Sequence, residues 1–142
     1  MKRSKIVIRT EKQFTDLRPH IEEVIKGSHG VGMVNVFVAH TTCAIKIMEG
    51  EILLLSDVNE HLEHMFPQVG GYRHDMIGIR DVPTTERVNG AAHMRQLFFD
   101  VTVNVPVEDG KLLLGQWQSI FLVEFDPVRD RIVYITYTGD SK

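Results

Sequence analysis

The sequence predicts an α+β fold: one compact domain with a mostly antiparallel, sandwich-like β core and about three helices. Three observations predict it. Val101, Val103, Val105 and Val107 alternate with polar or proline residues and run into Asp109-Gly110, the pattern of a half-buried strand closing on a tight hairpin turn. The run RIVYITYT at 131–138 alternates just as cleanly. Helical spacing recurs in only three segments, interspersed among runs of strands.

Taken in order, residues 5–9 (KIVIR) form a short β-run. Asp16 is placed to cap a helix with Pro19 in its first turn; Leu17, Ile21, Val24 and Ile25 give that helix one apolar stripe and Gly27 closes it. The segment SHGVG at 28–32 reads as a loop, and His20 as a surface residue. Residues 33–39 (MVNVFVA) form a strong strand, followed by the polar step His40-Thr41-Thr42-Cys43 and a further strand at 44–48. Ile52, Leu55, Val58, Leu62 and Met65 predict a second helix that Pro67 stops. Residues 68–89 contain Gly and Pro and lack periodicity, which in so small a domain suggests a functional loop or lid. A third helix over 91–99 carries His93. The hairpin beginning at 101 then extends through Leu112–114 and Ser119 to Phe125, with Gly115 marking a bulge or a close backbone approach.

The chain has 142 residues, 43% of them hydrophobic and 25% charged, and a net charge of -3. Such a balance offers no basic field for nucleic acid. No apolar run is long enough to span a membrane, and no signal-peptide pattern precedes the first strand. The single cysteine, Cys43, excludes an intrachain disulfide framework and suits a reducing cytoplasm. No internal repeat or linker divides residues 1–142, so a single domain is expected.

The chemistry lies with the seven histidines. His61 and His64 sit among Glu60 and Glu63 on a predicted helix and read as a solvated face. His40, His74 and His93 each stand at the edge of an element beside small polar residues. They could converge as metal ligands, proton-transfer groups or phosphate donors, although singly each fits a hydrogen-bonded structural histidine. Cys43 is better a small buried thiol than a nucleophile. No glycine-rich phosphate loop occurs, so a phosphate site would be improvised from groups such as Thr41 and Thr42. Glu49, Asp57 and Glu124 are candidate acids with surface or ion-pair alternatives. Arg129 and Arg131 could grip phosphate or pair with Asp126 and Asp130.

HTTCAIKIMEGE (40–51), YRHD (72–75), NGAAHM (89–94), VPVEDGKLLLGQWQSI (105–120) and EFDPVRDR (124–131) together resemble, in the right order along essentially the whole chain, the YjbQ family of secondary thiamine-phosphate synthases. The resemblance implies a homotrimer and weak thiamine-phosphate synthase activity, joining hydroxymethylpyrimidine diphosphate to a thiazole phosphate. It implies catalytic roles for His40, Glu49, Asp57, His74, His93 and Gln118. Contacts to a small phosphorylated metabolite fall to Thr41, Thr42, Asn89, Trp117, Glu124 and Arg129. A divalent metal would be shared by His40, His74 and His93, with Asp57 or Glu49 orienting a histidine. The chain departs from the family pattern at Met48, Ala91 and Pro127-Val128. Two other classes compete with a synthase: a metal- or phosphate-dependent hydrolase of a small metabolite, and a non-catalytic small-anion binder. Strand alternation further predicts that Gln118 faces the same cavity as the three histidines while the Trp117 indole packs on the opposite side.

Overall fold

A computed structural model describes residues 1–141, which form eight strands and three α-helices. The strands are β1 (Lys2–Thr10), β2 (Phe14–Asp16), β3 (Ser28–Val38), β4 (Cys43–Met48), β5 (Thr102–Glu108), β6 (Lys111–Leu112), β7 (Ser119–Glu124) and β8 (Arg129–Ser141); the helices are α1 (Arg18–Ile25), α2 (Ile52–Met65) and α3 (Gly90–Gln96). They build a five-stranded sheet in the order β1-β8-β3-β5-β6 and a three-stranded sheet in the order β2-β7-β4, with every pairing antiparallel. The α+β reading holds.

Between the two sheets lies the main core. Val34, Val36 and Val38 of β3 and Val133, Ile135 and Tyr137 of β8 meet Ile45 of β4 and Ile120 and Leu122 of β7. Leu17, Ile21 and Ile25 close it from the α1 side, each with no exposure. The expected Asp16 cap acts one position early: its carboxylate accepts the Arg18 N–H at 2.9 Å. A second, smaller core lies on the other face of the three-stranded sheet, where Phe121, Val123 and Phe125 meet Leu62 of α2 and Ala92 of α3. Strand β7 is therefore covered on both faces, which explains why SIFLVE is a nearly continuous apolar run rather than an alternating one. The two helices are tied together by Arg95, whose guanidinium donates to the Phe66 carbonyl at 2.7 Å and to Glu63 at 2.5 Å.

Four sequence expectations need correction. SHGVG is not a loop but the first part of β3, with a register shift between Ser28 and Gly32. Its two glycines have different reasons: Gly30 takes a positive φ of 65, and a side chain at Gly32 would run into the Tyr137 ring. The hairpin turn is real, with Asp109 at φ 47 and Gly110 at φ 74, but its return strand β6 is only two residues long. The chain then leaves that sheet and enters the other one as β7, so 101–125 is a hairpin followed by a crossover. Because of that crossover the Trp117 indole lies in a connecting loop at 68% exposure, not in the core. The Gln118 side chain folds back locally, its carbonyl accepting the Gly115 N–H at 2.8 Å. The expected close approach at Gly115 is thus made by a side chain.

No helix among the described residues is long and apolar enough to cross a membrane. Burial on both faces makes β7 the strand least tolerant of truncation. Leu122→Ala is expected to lower unfolding free energy by about 2–5 kcal/mol, seen as a lower denaturant midpoint at unchanged slope. Val7→Ala, on the 61% exposed outer face of β1, is expected to stay within about 0.5 kcal/mol.

Candidate functional site

Four stretches of chain that are distant in sequence bring polar side chains to one concavity of about 380 Å³. The end of β3 supplies Ala39 and His40, and the link to β4 supplies Thr41 and Thr42. The 68–89 loop contributes His74, Arg80 and Glu86; the start of α3 contributes Asn89 and His93; the start of β8 contributes Arg129 and Arg131. Ala39 is the one lining residue with an apolar side chain, so the cavity is suited to a polar ligand.

Beneath it lies a buried ion pair. Glu124 of β7 and Arg131 of β8 have side chains 0% and 1% exposed and join the two sheets. The Arg131 Nε–H donates to Glu124 Oε2 at 2.7 Å, and a second Arg131 nitrogen donates to Glu124 Oε1. Arg131 also donates to the Thr42 hydroxyl at 2.8 Å, and the Thr10 hydroxyl donates to Glu124 Oε2 at 2.5 Å. The Asp126 N–H completes the carboxylate's partners at 2.9 Å. Burial alone would raise the Glu124 pKa, but donors from Arg131, Thr10 and the Asp126 backbone outweigh it and hold the carboxyl below its ordinary value. For Arg131 the balance also favours charge: burial opposes it, and Glu124 more than compensates. Glu124 is therefore an ion-pair partner that orients Thr42 and the start of β8, rather than a contact in the cavity.

A second tier steadies the rim. Asp126 accepts from Arg87 at 3.1 Å and from the Asn89 amide at 3.0 Å, while Arg129 stands 3.9 Å away. Asp75 accepts the Gly90 N–H at 2.7 Å, and Arg80 donates to the His74 carbonyl at 2.9 Å. The 68–89 loop, though aperiodic, is pinned to α3 and to the β7–β8 turn by these bonds.

The three histidines divide into one and two. His40 Nε2 accepts the Ile132 N–H at 2.8 Å, while the Ile132 carbonyl accepts the Ala39 N–H at 3.2 Å. The imidazole thus takes the place of the next backbone acceptor of β3. An Nε2 lone pair used in this way makes the neutral ring an Nδ1–H tautomer. Desolvation first, then the charges of Arg131 and Arg129, lower the His40 pKa in the same direction. His74 and His93 instead pack edge to face with ring centroids 4.3 Å apart. Desolvation, followed by repulsion from His74, lowers the His93 pKa.

A metal held by all three rings does not fit this arrangement. His40 Nε2 is already engaged, and among the described residues no group of three His, Cys, Asp or Glu side chains is disposed to hold a metal ion. Cys43 is fully buried, and desolvation pushes its thiol up to about 12, which leaves it unreactive.

Seven of the twelve residues to which the family resemblance gives roles meet at the cavity: His40, Thr41, Thr42, His74, Asn89, His93 and Arg129. Others do not. Glu49 and Trp117 line a separate cleft of about 310 Å³ beside Glu51. Asp57 is exposed on α2, where its backbone carbonyl contacts the His61 ring at 2.8 Å. Gln118 faces Gly115, not the histidines, because 113–118 form a loop in which strand alternation does not apply. Sequence reading missed Arg80 and Glu86, which sit in an aperiodic loop without any pattern to mark them. The Arg131–Glu124 pair did leave a trace: Arg131 is in phase with the inward residues Val133, Ile135 and Tyr137, and a cation on a core face needs a buried partner.

The family model described as UPF0047 protein YjbQ-like matches residues 2–140. A UPF0047 protein of Archaeoglobus fulgidus is 36% identical over 132 residues, covering 92% of this chain and 96% of that one. The UPF0047 protein YugU of Bacillus subtilis is 32% identical over 108 residues, covering 76% and 75%. Among solved structures, the hypothetical protein APE1520 from Aeropyrum pernix K1 superposes with a TM-score of 0.85 at 30% identity, covering 99% of this chain and 100% of that one. A YbjQ-like protein of unknown function, SSO2532 from Sulfolobus solfataricus P2, gives 0.80 at 28% identity, covering 94% and 93%.

Two outcomes are expected from this geometry. Glu124→Gln keeps the shape but strands the Arg131 charge, and should lower unfolding free energy by about 3–5 kcal/mol in chemical denaturation. His40 and His93 have folded pKa values depressed below 6.5, so between the folded and unfolded values the unfolded chain binds more protons. Their contribution is therefore full above about pH 6.5 and is lost as the pH falls below it. Denaturation midpoints followed from pH 7.5 to 5.5 should decline, and nitrogen-15 spectra should show His40 as the Nδ1–H tautomer; a protonated Nε2 at pH 7 would contradict the assignment.

Proposed function

The chain belongs to the UPF0047 family of YjbQ-like proteins, and we propose that it binds a small phosphorylated metabolite in the histidine-lined cavity and acts on it by general acid–base chemistry. The observation that carries this reading is the His74–His93 edge-to-face pair, 4.3 Å between ring centroids, in a cavity shared with Arg129 and the Thr41-Thr42 step. In this reading one ring of the pair serves as the base and the other as the proton donor. Arg129 and Arg80 supply positive charge for phosphate oxygens. Thr41 and the His40 Nδ1–H supply neutral donors, and Arg131 has its charge matched by Glu124.

The reaction proposed is the one that the family resemblance implies: thiamine-phosphate synthesis as a weak transferase activity. The pyrimidine methylene carbon of hydroxymethylpyrimidine diphosphate bonds to the thiazole nitrogen of the thiazole phosphate, and pyrophosphate leaves with the electron pair of the broken C–O bond. Arg129, Arg80 and an imidazolium would neutralise the charge that develops on the leaving oxygens. A divalent ion enters the proposal only as cargo of the diphosphate, not as a resident of the three histidines. A homotrimer working in the cytoplasm completes the proposal. It would allow the cleft carrying Glu49 and Trp117 to serve a neighbouring subunit.

The polar lining and modest volume favour a second reading, hydrolysis of a single small phosphate ester with the histidine pair activating water. A volume of about 380 Å³ lies near the lower end for small-molecule sites, and among the described residues no aromatic face other than the imidazoles lines it. Product analysis separates the two. Purified protein supplied with both thiamine precursors should form thiamine phosphate, and His74→Ala or His93→Ala should lower the rate by about 10²–10⁴-fold. Equal rates in wild type and His74→Ala would remove His74 from the mechanism. Phosphate release from simple esters without coupling would favour the hydrolase.

A further inference from the structure

We infer that Glu86 sets the ligand specificity of the cavity, and that the preferred ligand is a phosphate monoester that also carries an ammonium or amidinium group. This inference rests on the phosphate-binding reading above. Glu86 is the only carboxylate among the described residues lining the cavity. The other acids nearby are committed: Asp75 to the Gly90 N–H, Asp126 to Arg87 and Asn89, and Glu124 to Arg131. Glu86 forms no ion pair among the described residues, and its one recorded acceptor contact is with the adjacent Arg87 N–H at 3.2 Å.

Its backbone is nonetheless held in place. The Glu86 N–H donates to the Pro83 carbonyl at 3.0 Å. Next along the chain, the Arg87 guanidinium reaches the carbonyls of Asp126 at 3.3 Å and Val128 at 3.0 Å as well as the Asp126 carboxylate. A carboxylate is thus presented at the rim on a fixed stem, with Oε1 meeting only the neighbouring Arg87 N–H and Oε2 unpaired among the described residues. In a site built to take a bare anion, that charge would oppose Arg80 and Arg129 and weaken binding. It becomes favourable when the ligand is bipolar, with phosphate toward Arg129 and His40 and a cationic donor toward Glu86.

The test compares ethyl phosphate with O-phosphoethanolamine, which share a phosphate and a two-carbon chain and differ by an ammonium group. Dissociation constants come from ligand-induced rises in melting temperature at low salt. Wild type should prefer O-phosphoethanolamine by about fivefold, the ratio that an exposed ion pair of roughly 1 kcal/mol supplies. Glu86→Gln, at an exposed position that leaves the fold intact, should bring the ratio to near one and leave ethyl phosphate binding equal or tighter. A wild-type ratio of one, or a preference that survives in Glu86→Gln, overturns the role of Glu86. In that event the phosphate reading still stands, provided ethyl phosphate binds wild type and is lost in Arg129→Ala. If neither probe binds wild type, the phosphate reading fails and this inference with it.

Discussion

The rest of the structure depends on the Glu124–Arg131 pair. Removing two charges from water is unfavourable unless nearly every lone pair and N–H finds a partner, and here they do, through Thr10, Thr42 and the Asp126 backbone. The partners come from both sheets: Thr10 and Arg131 from the five-stranded one, and Glu124 and the approach to β4 from the three-stranded one. Satisfying the pair therefore sets how the sheets meet at this end. It also decides where the ends of β3 and β7 and the start of β8 emerge, and those are the points from which the cavity is built.

A consequence is that the cavity's floor holds a buried ion pair, while its rim carries the charges of Arg80, Arg129 and Glu86. Arg131 touches the cavity with its charge partly offset by the Glu124 carboxylate beside it. Arg80 and Arg129 bring positive charge from the loop and the strand end, and Glu86 brings the opposite sign to the same lining. The His40 ring belongs to the floor. By accepting the Ile132 N–H it extends the β3–β8 ladder, and the same bond fixes its tautomer and removes Nε2 from any other chemistry. His74 and His93 belong to the rim, where their rings pack edge to face. Three histidines that look alike as sequence thus have two different roles.

The chain also presents a second polar–aromatic cleft around Glu49, Glu51 and Trp117, apart from the histidines. Glu51 is already occupied there as the cap of α2, accepting the Leu53 and Leu54 N–H groups at 2.8 and 2.7 Å. A capping carboxylate is committed to the helix end and has little left for a ligand. The Trp117 indole beside it is exposed.

Sequence by itself determined the α+β class, the three helices, the hairpin turn at Asp109-Gly110 and most of the core. Each of these is a local consequence of period and turn chemistry: alternating valines have one buried face, and Asp-Gly accepts positive φ at low strain. It also assembled seven residues that the structure brings to one cavity, through motif order rather than periodicity. What only the tertiary structure decided is how long-range partners spend those residues. That SHGVG pairs as a strand depended on partners in β5 and β8, with Gly32 leaving room for the Tyr137 ring. That Trp117 is exposed and Gln118 turned away depended on the chain changing sheets after a two-residue β6, where alternation no longer predicts a face. His40, His74 and His93 parted company because a backbone donor from β8, more than ninety residues away in sequence, claimed one of them. Arg80 and Glu86 stayed silent for the same physical reason: an aperiodic loop takes its conformation from the groups that pin it, and those lie elsewhere in the chain.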